Sequence, residues 1–299
     1  MKREQIRKRE RVRRDEGRAL YSDANGSPRF RYSVASYLDI LGTKQAVTSM
    51  TNADLGKQIQ LLDGLNRGLH DSAWEVEWQR MLTFSDSIAL AVPIAQSTPM
   101  GMELGMVSAS IGAYQFELAC TGRFMRGGIT LGDVYADYAN ITGPALVEAV
   151  DLETNVAVMP RVLVSADCLT LAIADGHASY GANSYQSEWN TSFMVDADGR
   201  AFVNYLSTVL DAEDNDVALA EDLLRRHRDA VSKALIEHSK PSRIREKYVW
   251  VSHYHNAFCA LHRPTAGLQV TDPLNPLEAL YPRPFRSLFD RDGQETPAP

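Results

Sequence analysis

The chain has 299 residues, of which 44% are hydrophobic and 23% charged, and a formal net charge of −7. That length can bury a sizeable core, and that composition excludes global disorder and a disulfide-stapled miniprotein. No run approaches the ~20 uninterrupted apolar residues of a membrane span, and Cys120, Cys168 and Cys259 form no metal-type pair.

Residues 1–18 hold nine Lys or Arg against four acids, so the remainder of the chain carries −12. With only Ile6 and Val12 as apolar anchors, this basic arm reads as a solvated or frayed terminus. The acidic body argues against a stable nucleic-acid complex. The start Met1-Lys2-Arg3-Glu4 has no apolar stretch of a secretory signal, and the cysteine usage suits a reducing compartment, so a soluble cytoplasmic protein is expected.

Ser22–Pro28 is a cluster of turn residues and reads as a linker closing an N-terminal segment 1–28. A strand over 30–41 follows. Leu55, Ile59, Leu62 and Leu65 predict a helix near 52–70, residues 76–93 a hairpin, and 101–122 a long apolar helix. Then come a strand from Arg126, a short hairpin, and a helix starting near Pro144. A strand near 161–165 and a helix from Ala166 precede a second hairpin around Asp196-Ala197-Asp198-Gly199, whose Asp-Gly is a turn signal and not a calcium loop. A helix is predicted over 214–238. His253 and His255 are two apart and cannot share an ion from one helix, so the aromatic stretch Lys247–Asn256 reads as packing by Trp250 and Tyr254. The Pro-rich segment from Thr271 wraps the body, and 291–299 reads as a disordered tail.

Two aspartates stand out in this pattern. Asp39 ends the apolar strand Tyr32–Leu41, and Asp86 sits between the halves of the 76–93 hairpin. Strands disfavour carboxylates, and a buried carboxylate needs a positive partner. A pair of them points to divalent metal, and two ions about 3.5–4 Å apart are a common device for in-line displacement at phosphorus.

Three segments together resemble the class III nucleotidyl cyclases. Tyr37-Leu38-Asp39-Ile40-Leu41-Gly42-Thr43 is similar to their aromatic-x-Asp-Ile-x-Gly signature, and Ser85-Asp86 stands where they carry Gly-Asp. Arg126-Gly127-Gly128-Ile129 through Gly132 is similar to their Arg-x-Gly-Ile-x-x-Gly strand, and Gly143–Glu153 to the helix after it. The Asp-Ile-Leu-Gly, Arg-Gly-Gly-Ile and Gly-Pro-Ala…Glu-Ala…Leu-Glu variants resemble most the pyrimidine cyclases of the Pycsar anti-phage systems. The likeness covers roughly residues 30–165.

This resemblance implies an α+β fold with a ferredoxin-like βαββαβ class III cyclase core over 29–165, and extra C-terminal elements over 166–290 that complete the same domain. It implies two Mn²⁺ or Mg²⁺ ions held by Asp39, the Ile40 carbonyl and Asp86. The backbone N–H groups of Leu41, Gly42 and Thr43 would receive phosphates. Leu82 replaces the Lys with which purine enzymes read the base, which argues against ATP and GTP, and Asn140 replaces the usual acid with an amide that suits either pyrimidine edge; the Pycsar resemblance favours UTP, with CTP as the alternative. A homodimer is implied, together with a separate effector protein activated by the cyclic product in phage defence. Val147 and Asp151 stand where the family carries an Asn and an Arg that support the transition state. Arg126, Arg161, Lys44 and Lys247 are the candidate replacements, and Arg243 is a further cation within reach of a triphosphate. A nucleotide sensor without turnover, and a two-metal nucleotidyltransferase with a polymerase-like palm, are the competing readings.

Overall fold

The computed structural model describes residues 20–42, 51–53, 55–56, 59–60, 80–94, 101–213, 216–262, 267–272, 274 and 285–289. The basic arm, Thr43, Lys44, the second half of the 52–70 helix and the 291–299 tail lie outside them.

Strand β1 (Arg31–Ile40) is the axis of the fold, because its alternate side chains serve two layers. Val34, Leu38 and Ile40 enter one core, while Ser33, Ala35, Tyr37 and Asp39 take the other face. Strands β2 (Arg80–Phe84) and β3 (Ser87–Pro93) form a hairpin joined to β1 through β3, and β4 (Met125–Ala136) flanks β1 on its other side. All these pairings are antiparallel, in the order β2-β3-β1-β4. Helix α1 (Met102–Cys120) connects β3 to β4, and helical residues at 52–53, 55–56 and 59–60 lie between β1 and β2. This is the strand order of a ferredoxin-like unit in an α+β fold.

The sheet continues beyond it. Strand β5 (Ile141–Thr142) folds back on the end of β4, and helix α2 (Pro144–Asp151) starts with Pro144 in its first turn. Strand β6 (Val162–Val164) pairs with β4 in parallel, and helix α3 (Ala166–Tyr180) follows, capped by the Ser165 hydroxyl. After the short helix α4 (Trp189–Ser192), the hairpin of β7 (Phe193–Val195) and β8 (Ala201–Val203) adds to β6, and β9 (Arg286–Ser287) adds to β7. The helix predicted over 214–238 is present as one helix, and a short helix that the sequence did not suggest precedes it. Helix α5 (Thr208–Glu213) precedes α6 (Val217–Glu237), which is capped by the Asp216 carboxylate accepting from the Ala218 and Leu219 N–H groups. Helix α7 (Arg243–His262) carries the aromatic stretch. Among the described residues no helix is long and apolar enough to cross a membrane.

Among the described residues three clusters of buried side chains grip this sheet, the smallest formed by Tyr21, Ala35, Ala91, Val134, Ala136 and Ala145. Of the two larger cores, the first packs α1 and α3 on β1, β3 and β4 through Leu38, Ile88, Leu104, Ile111, Ile129 and Cys168. The second gathers Phe202, Leu224, Trp250, Tyr254 and Phe258 from β8, α6 and α7. As the i,i+4 spacing implies, Trp250 stacks on Tyr254 with centroids 5.6 Å apart. The Asp196–Arg200 segment is a hairpin turn, in which the Asp196 N–H donates to the Arg200 carbonyl. The predicted linker at 22–28 is an ordered turn, with the Asp23 carboxylate accepting from Asn25 and Ser27 and Tyr21 buried beside it.

The histidines of α7 have structural partners. His255 Nε2 lies 2.8 Å from the Leu268 carbonyl oxygen, which can only accept, so Nε2 carries the proton and Nδ1 accepts. His227 Nδ1, 2.9 Å away, therefore donates to it, and His227 Nε2 accepts from the Tyr205 hydroxyl at 2.9 Å. Both rings are neutral in this chain of bonds. Burial holds His227 far below the usual imidazole value and lowers His255 to about 4. Unfolded histidines titrate near ~6.5, so the unfolded state binds more protons below that pH and stability falls as pH falls. The expected loss is about 1.4 kcal/mol per pH unit for each ring between pH ~6.5 and its folded value. Ring ¹⁵N chemical shifts should show Nε2–H on His255 and Nδ1–H on His227, unchanged from pH ~7.5 to ~5. Titration of either ring near its free value would refute this proton arrangement.

Candidate functional site

The pairing register brings the two sequence-flagged aspartates to one end of the sheet. Asp39 stands opposite Ser87 on β3 and opposite Arg126 on β4, and Ser87 stands opposite Phe84. Directly paired residues share a face, so Phe84, Ser87, Asp39 and Arg126 form one row across the sheet. The next row is Leu82, Ala89, Tyr37 and Gly128. Asp86 occupies the two-residue turn between β2 and β3, and its carbonyl accepts from the Ile40 N–H at 3.1 Å. The hairpin tip is thereby fastened to the end of β1.

The glycines of β4 make room for a helix. A Cβ on Gly128 would lie 2.7 Å from both the Ala149 carbonyl oxygen and Leu152 Cβ, and one on Gly132 3.3 Å from Ala145 Cβ. Helix α2 therefore lies directly on the strand, and the Thr130 hydroxyl donates to the Ala145 carbonyl at 2.7 Å. After Asp151 the helix widens into a π-helical turn, Leu152–Val156, in which the Ala157 N–H donates to the Leu152 carbonyl. Such turns are frequent at functional sites because they re-aim one side chain. Here that side chain is Glu153, 4% exposed, paired with Arg126 Nε at 2.7 Å. Arg126 Nε is also 3.7 Å from Asp39.

Glu153 is thus a third carboxylate of the cluster. The sequence showed it only as the end of a matched helix, where a glutamate ordinarily faces solvent. Burial first, then the Glu153 and Asp86 carboxylates, raise Asp39 to about 6 against the opposing pull of Arg126 and the Ser87 hydrogen bond. Lys247, half-buried on α7, belongs to the same electrostatic group. Burial and the Arg126 charge lower it, while Asp39 and Glu153 act the other way.

Of the remaining expected residues, several are placed differently. The Leu41 N–H donates to the Phe124 carbonyl at 2.7 Å, so this group is committed to the fold and does not face a phosphate. Gly42 has φ +83° with open space where a side chain would be, a conformation that disfavours any other residue. Arg161 is 4% exposed and locked by Asp196 at 2.5 Å and by Asp198, with the Trp250 indole donating to Asp196 at 2.8 Å. It is a structural ion pair and leaves the list of phosphate ligands. Arg243 is exposed at the start of α7. Val147 is 70% exposed, and Asp151 accepts from the Asn155 amide at 2.6 Å on the outer face of α2. Leu82 is half-buried on β2, with β5 packed against β2 and β3. Asn140, next to β5, is exposed, and its amide donates to Asp137 at 3.2 Å.

The residues at this end suit a divalent cation. Asp39 is held above its ordinary range by burial first and then by two neighbouring carboxylates, and a cation would relieve the repulsion among them. Among the described residues no group of three or more His, Cys, Asp or Glu is gathered closely enough to hold an ion alone.

No protein-family model matches the chain, and no curated protein matches it. Among solved structures it is similar to the adenylyl cyclase CyaB from P. aeruginosa, at 15% identity and TM-score 0.40, over 48% of this chain and 81% of that one. It is also similar to a bacterial light-regulated adenylyl cyclase, at 13% identity and TM-score 0.40, over 67% of this chain and the whole of that one.

Two measurements test the site's physics. Ser85 is the one non-glycine residue at positive φ (+58°) among those described, at the first position of the turn that carries Asp86. Such a turn position favours glycine, so Ser85→Gly should stabilise by about 0.5–1 kcal/mol, read as a higher urea midpoint. For Asp39, the folded value of about 6 exceeds the unfolded one, so the ionised group destabilises the fold above that pH and not below its unfolded value. In chelator-treated protein, Asp39→Asn should gain about 1–2 kcal/mol at pH ~8, after discounting for partial exposure, and almost nothing near pH ~4.

Proposed function

We propose that the chain is a nucleotidyl cyclase that converts UTP to 3′,5′-cyclic UMP and pyrophosphate. The observation that carries this reading is the joining of Asp39 and Asp86 at one end of a ferredoxin-like sheet, with Glu153 holding Arg126 beside them. The motif resemblance around these residues supplies the reaction class.

In this reading Asp39, the Ile40 carbonyl and Asp86 would hold two Mn²⁺ or Mg²⁺ ions. When bound, such ions lower the pKa of the ribose 3′-hydroxyl and stabilise charge on the phosphates. The 3′-oxygen forms a bond to the α-phosphorus, its proton leaves to solvent, and the bond to the β-phosphate oxygen breaks to release pyrophosphate. Glu153 keeps the Arg126 guanidinium aimed at the reacting end, where a cation meets developing negative charge. Gly42 lets the chain turn close to the phosphates. Tyr37, Ala89 and Leu82 form a flat apolar floor for a base, and the Asn140 amide offers both a donor and an acceptor to its edge. A Leu in place of a base-reading Lys leaves no cation for a purine carbonyl or ring nitrogen. We further propose a homodimer, which would bring the outer face of α2 to a second copy, and a separate effector that the cyclic product activates in anti-phage defence.

One observation favours a second reading. Exposed Val147 and Asp151 put an apolar and an anionic group where a transition-state cation would act, as suits a nucleotide sensor without turnover.

The experiment is incubation with each of the four ribonucleoside triphosphates and Mn²⁺, with products resolved by mass spectrometry. Cyclic UMP should predominate, and Asp86→Ala should lower its rate at least 10³-fold. Cyclic CMP would correct only the base, cyclic AMP or GMP would refute the pyrimidine assignment, and binding without product would establish the sensor. Independently of turnover, Mn²⁺ should raise the melting temperature of the wild type and not that of Asp39→Asn.

A further inference from the structure

Phe84 closes strand β2 at the tip of the hairpin and is 84% exposed, the most exposed large apolar side chain among the described residues. A scattered surface aromatic is ordinary and needs no explanation. The place of this one is what matters. Phe84 opposes Ser87, Ser87 opposes Asp39 and Asp39 opposes Arg126, so the four side chains leave the same face of the sheet. Adjacent strands lie about 4.8 Å apart, which puts Phe84 roughly 10 Å from Asp39 along the row and Arg126 about 5 Å from Asp39 on the other side.

The tip that carries the ring is tied down. The chain turns in two residues, Ser85 and Asp86, and the Asp86 carbonyl accepts from the Ile40 N–H at 3.1 Å. A side chain on a fastened strand loses little freedom when a ligand settles on it. Between the ring and the carboxylate stands Ser87, a short side chain that hydrogen-bonds to Asp39 and leaves open space above itself. Arg126 closes the row with positive charge, 3.7 Å from Asp39.

That order has a direction. Read from β2 to β4 it runs aromatic ring, short polar side chain, carboxylate, guanidinium. A nucleoside triphosphate has the matching order of base, ribose, α-phosphate and pyrophosphate, with the metal ions between the carboxylate and the phosphates. Since the cation draws the pyrophosphate toward β4, the base is directed toward β2. We propose that the Phe84 ring is the platform on which the base of the substrate stacks, with the ribose over Ser87. This rests on the nucleotide reading of the site and adds to it the direction in which the substrate lies. Stacking does not discriminate between hydrogen-bonding edges, so Phe84 would supply affinity for any base and leave the choice of base to Leu82 and Asn140.

The test compares Phe84→Ala, Phe84→Leu and Phe84→Trp in the full chain with Mn²⁺. Calorimetry with UMP and, separately, with pyrophosphate reads the two ends of the row, and initial rates with UTP give KM and kcat. Phe84→Ala should weaken UMP at least about fivefold, leave pyrophosphate within about twofold, and raise KM for UTP with little change in kcat. Phe84→Leu keeps the bulk without the π-face and should resemble Phe84→Ala, whereas Phe84→Trp should restore UMP affinity. Unchanged UMP affinity in Phe84→Ala, full affinity in Phe84→Leu, or equal losses of UMP and pyrophosphate would each overturn the proposal. So would a changed oligomeric state by light scattering without a change in UMP affinity, which would make the ring a contact between copies of the chain. UMP binding that depends on the ring in a protein that releases no cyclic product would keep the platform and refute the cyclase, and turnover of UTP with KM unchanged in Phe84→Ala would do the reverse. A wild type that binds neither UMP nor UTP would overturn both.

Discussion

Everything at the candidate site depends on how close α2 lies to β4. That distance is set by the absence of side chains at Gly128 and Gly132, since even one methyl group at Gly128 would collide with backbone at Ala149 and with Leu152. The helix rests on bare strand and its last turn ends directly over Arg126. Only from that height can a glutamate in a widened turn reach down to the guanidinium and still be almost wholly buried. The consequence is electrostatic. Arg126 stands between two carboxylates, nearer to Glu153 than to Asp39, so Asp39 is only partly neutralised.

The legible and illegible parts of this arrangement divide by range. Asp39 and Asp86 were visible because a carboxylate within a strand pattern is a local anomaly, and local anomalies show in a single sequence. The hairpin, the β4 strand, the helix opening at Pro144 and the i,i+4 stacking of Trp250 and Tyr254 were legible for the same reason. Glu153 was not, because its burial comes from a packing distance and a one-residue widening of the helix that no spacing rule encodes. Arg161 reads in sequence as a free cation, since the carboxylates that claim it are 35 and 37 residues away across a strand pairing. The Leu41 N–H looked available for the parallel reason that its acceptor, Phe124, is brought alongside only by the β1–β4 register.

The residues beyond the ferredoxin-like unit are continuous with it in the sheet. Because β6 pairs in parallel with β4, the added strands inherit the same two faces: alternate side chains of β7 and β8 divide between the first and second cores, whereas those of β1 divide between the first core and the cluster around Ala35 and Ala145. Helix α7 then lies on the face that also carries Asp39, which is how Lys247 comes into electrostatic contact with Arg126 and Glu153. The polar groups inside the second core are satisfied in a fixed donor-to-acceptor order from Tyr205 through His227 and His255 to Leu268, so that core tolerates its histidines only as neutral rings.

The far edge of the sheet has a mechanical consequence. Phe289 follows the two-residue strand β9, its ring packs edge-on to His177 and against Gly176 of α3, and its N–H donates to the Asn190 side chain at 2.8 Å. Tension on the chain beyond residue 289 would meet the Phe289 contacts with α3 and α4 first, and the short β7–β9 pairing only after them. The β1 end carrying the aspartates lies several strands away and would bear little of that load, so an attachment beyond Phe289 should disturb α3 and α4 before it disturbs the carboxylates.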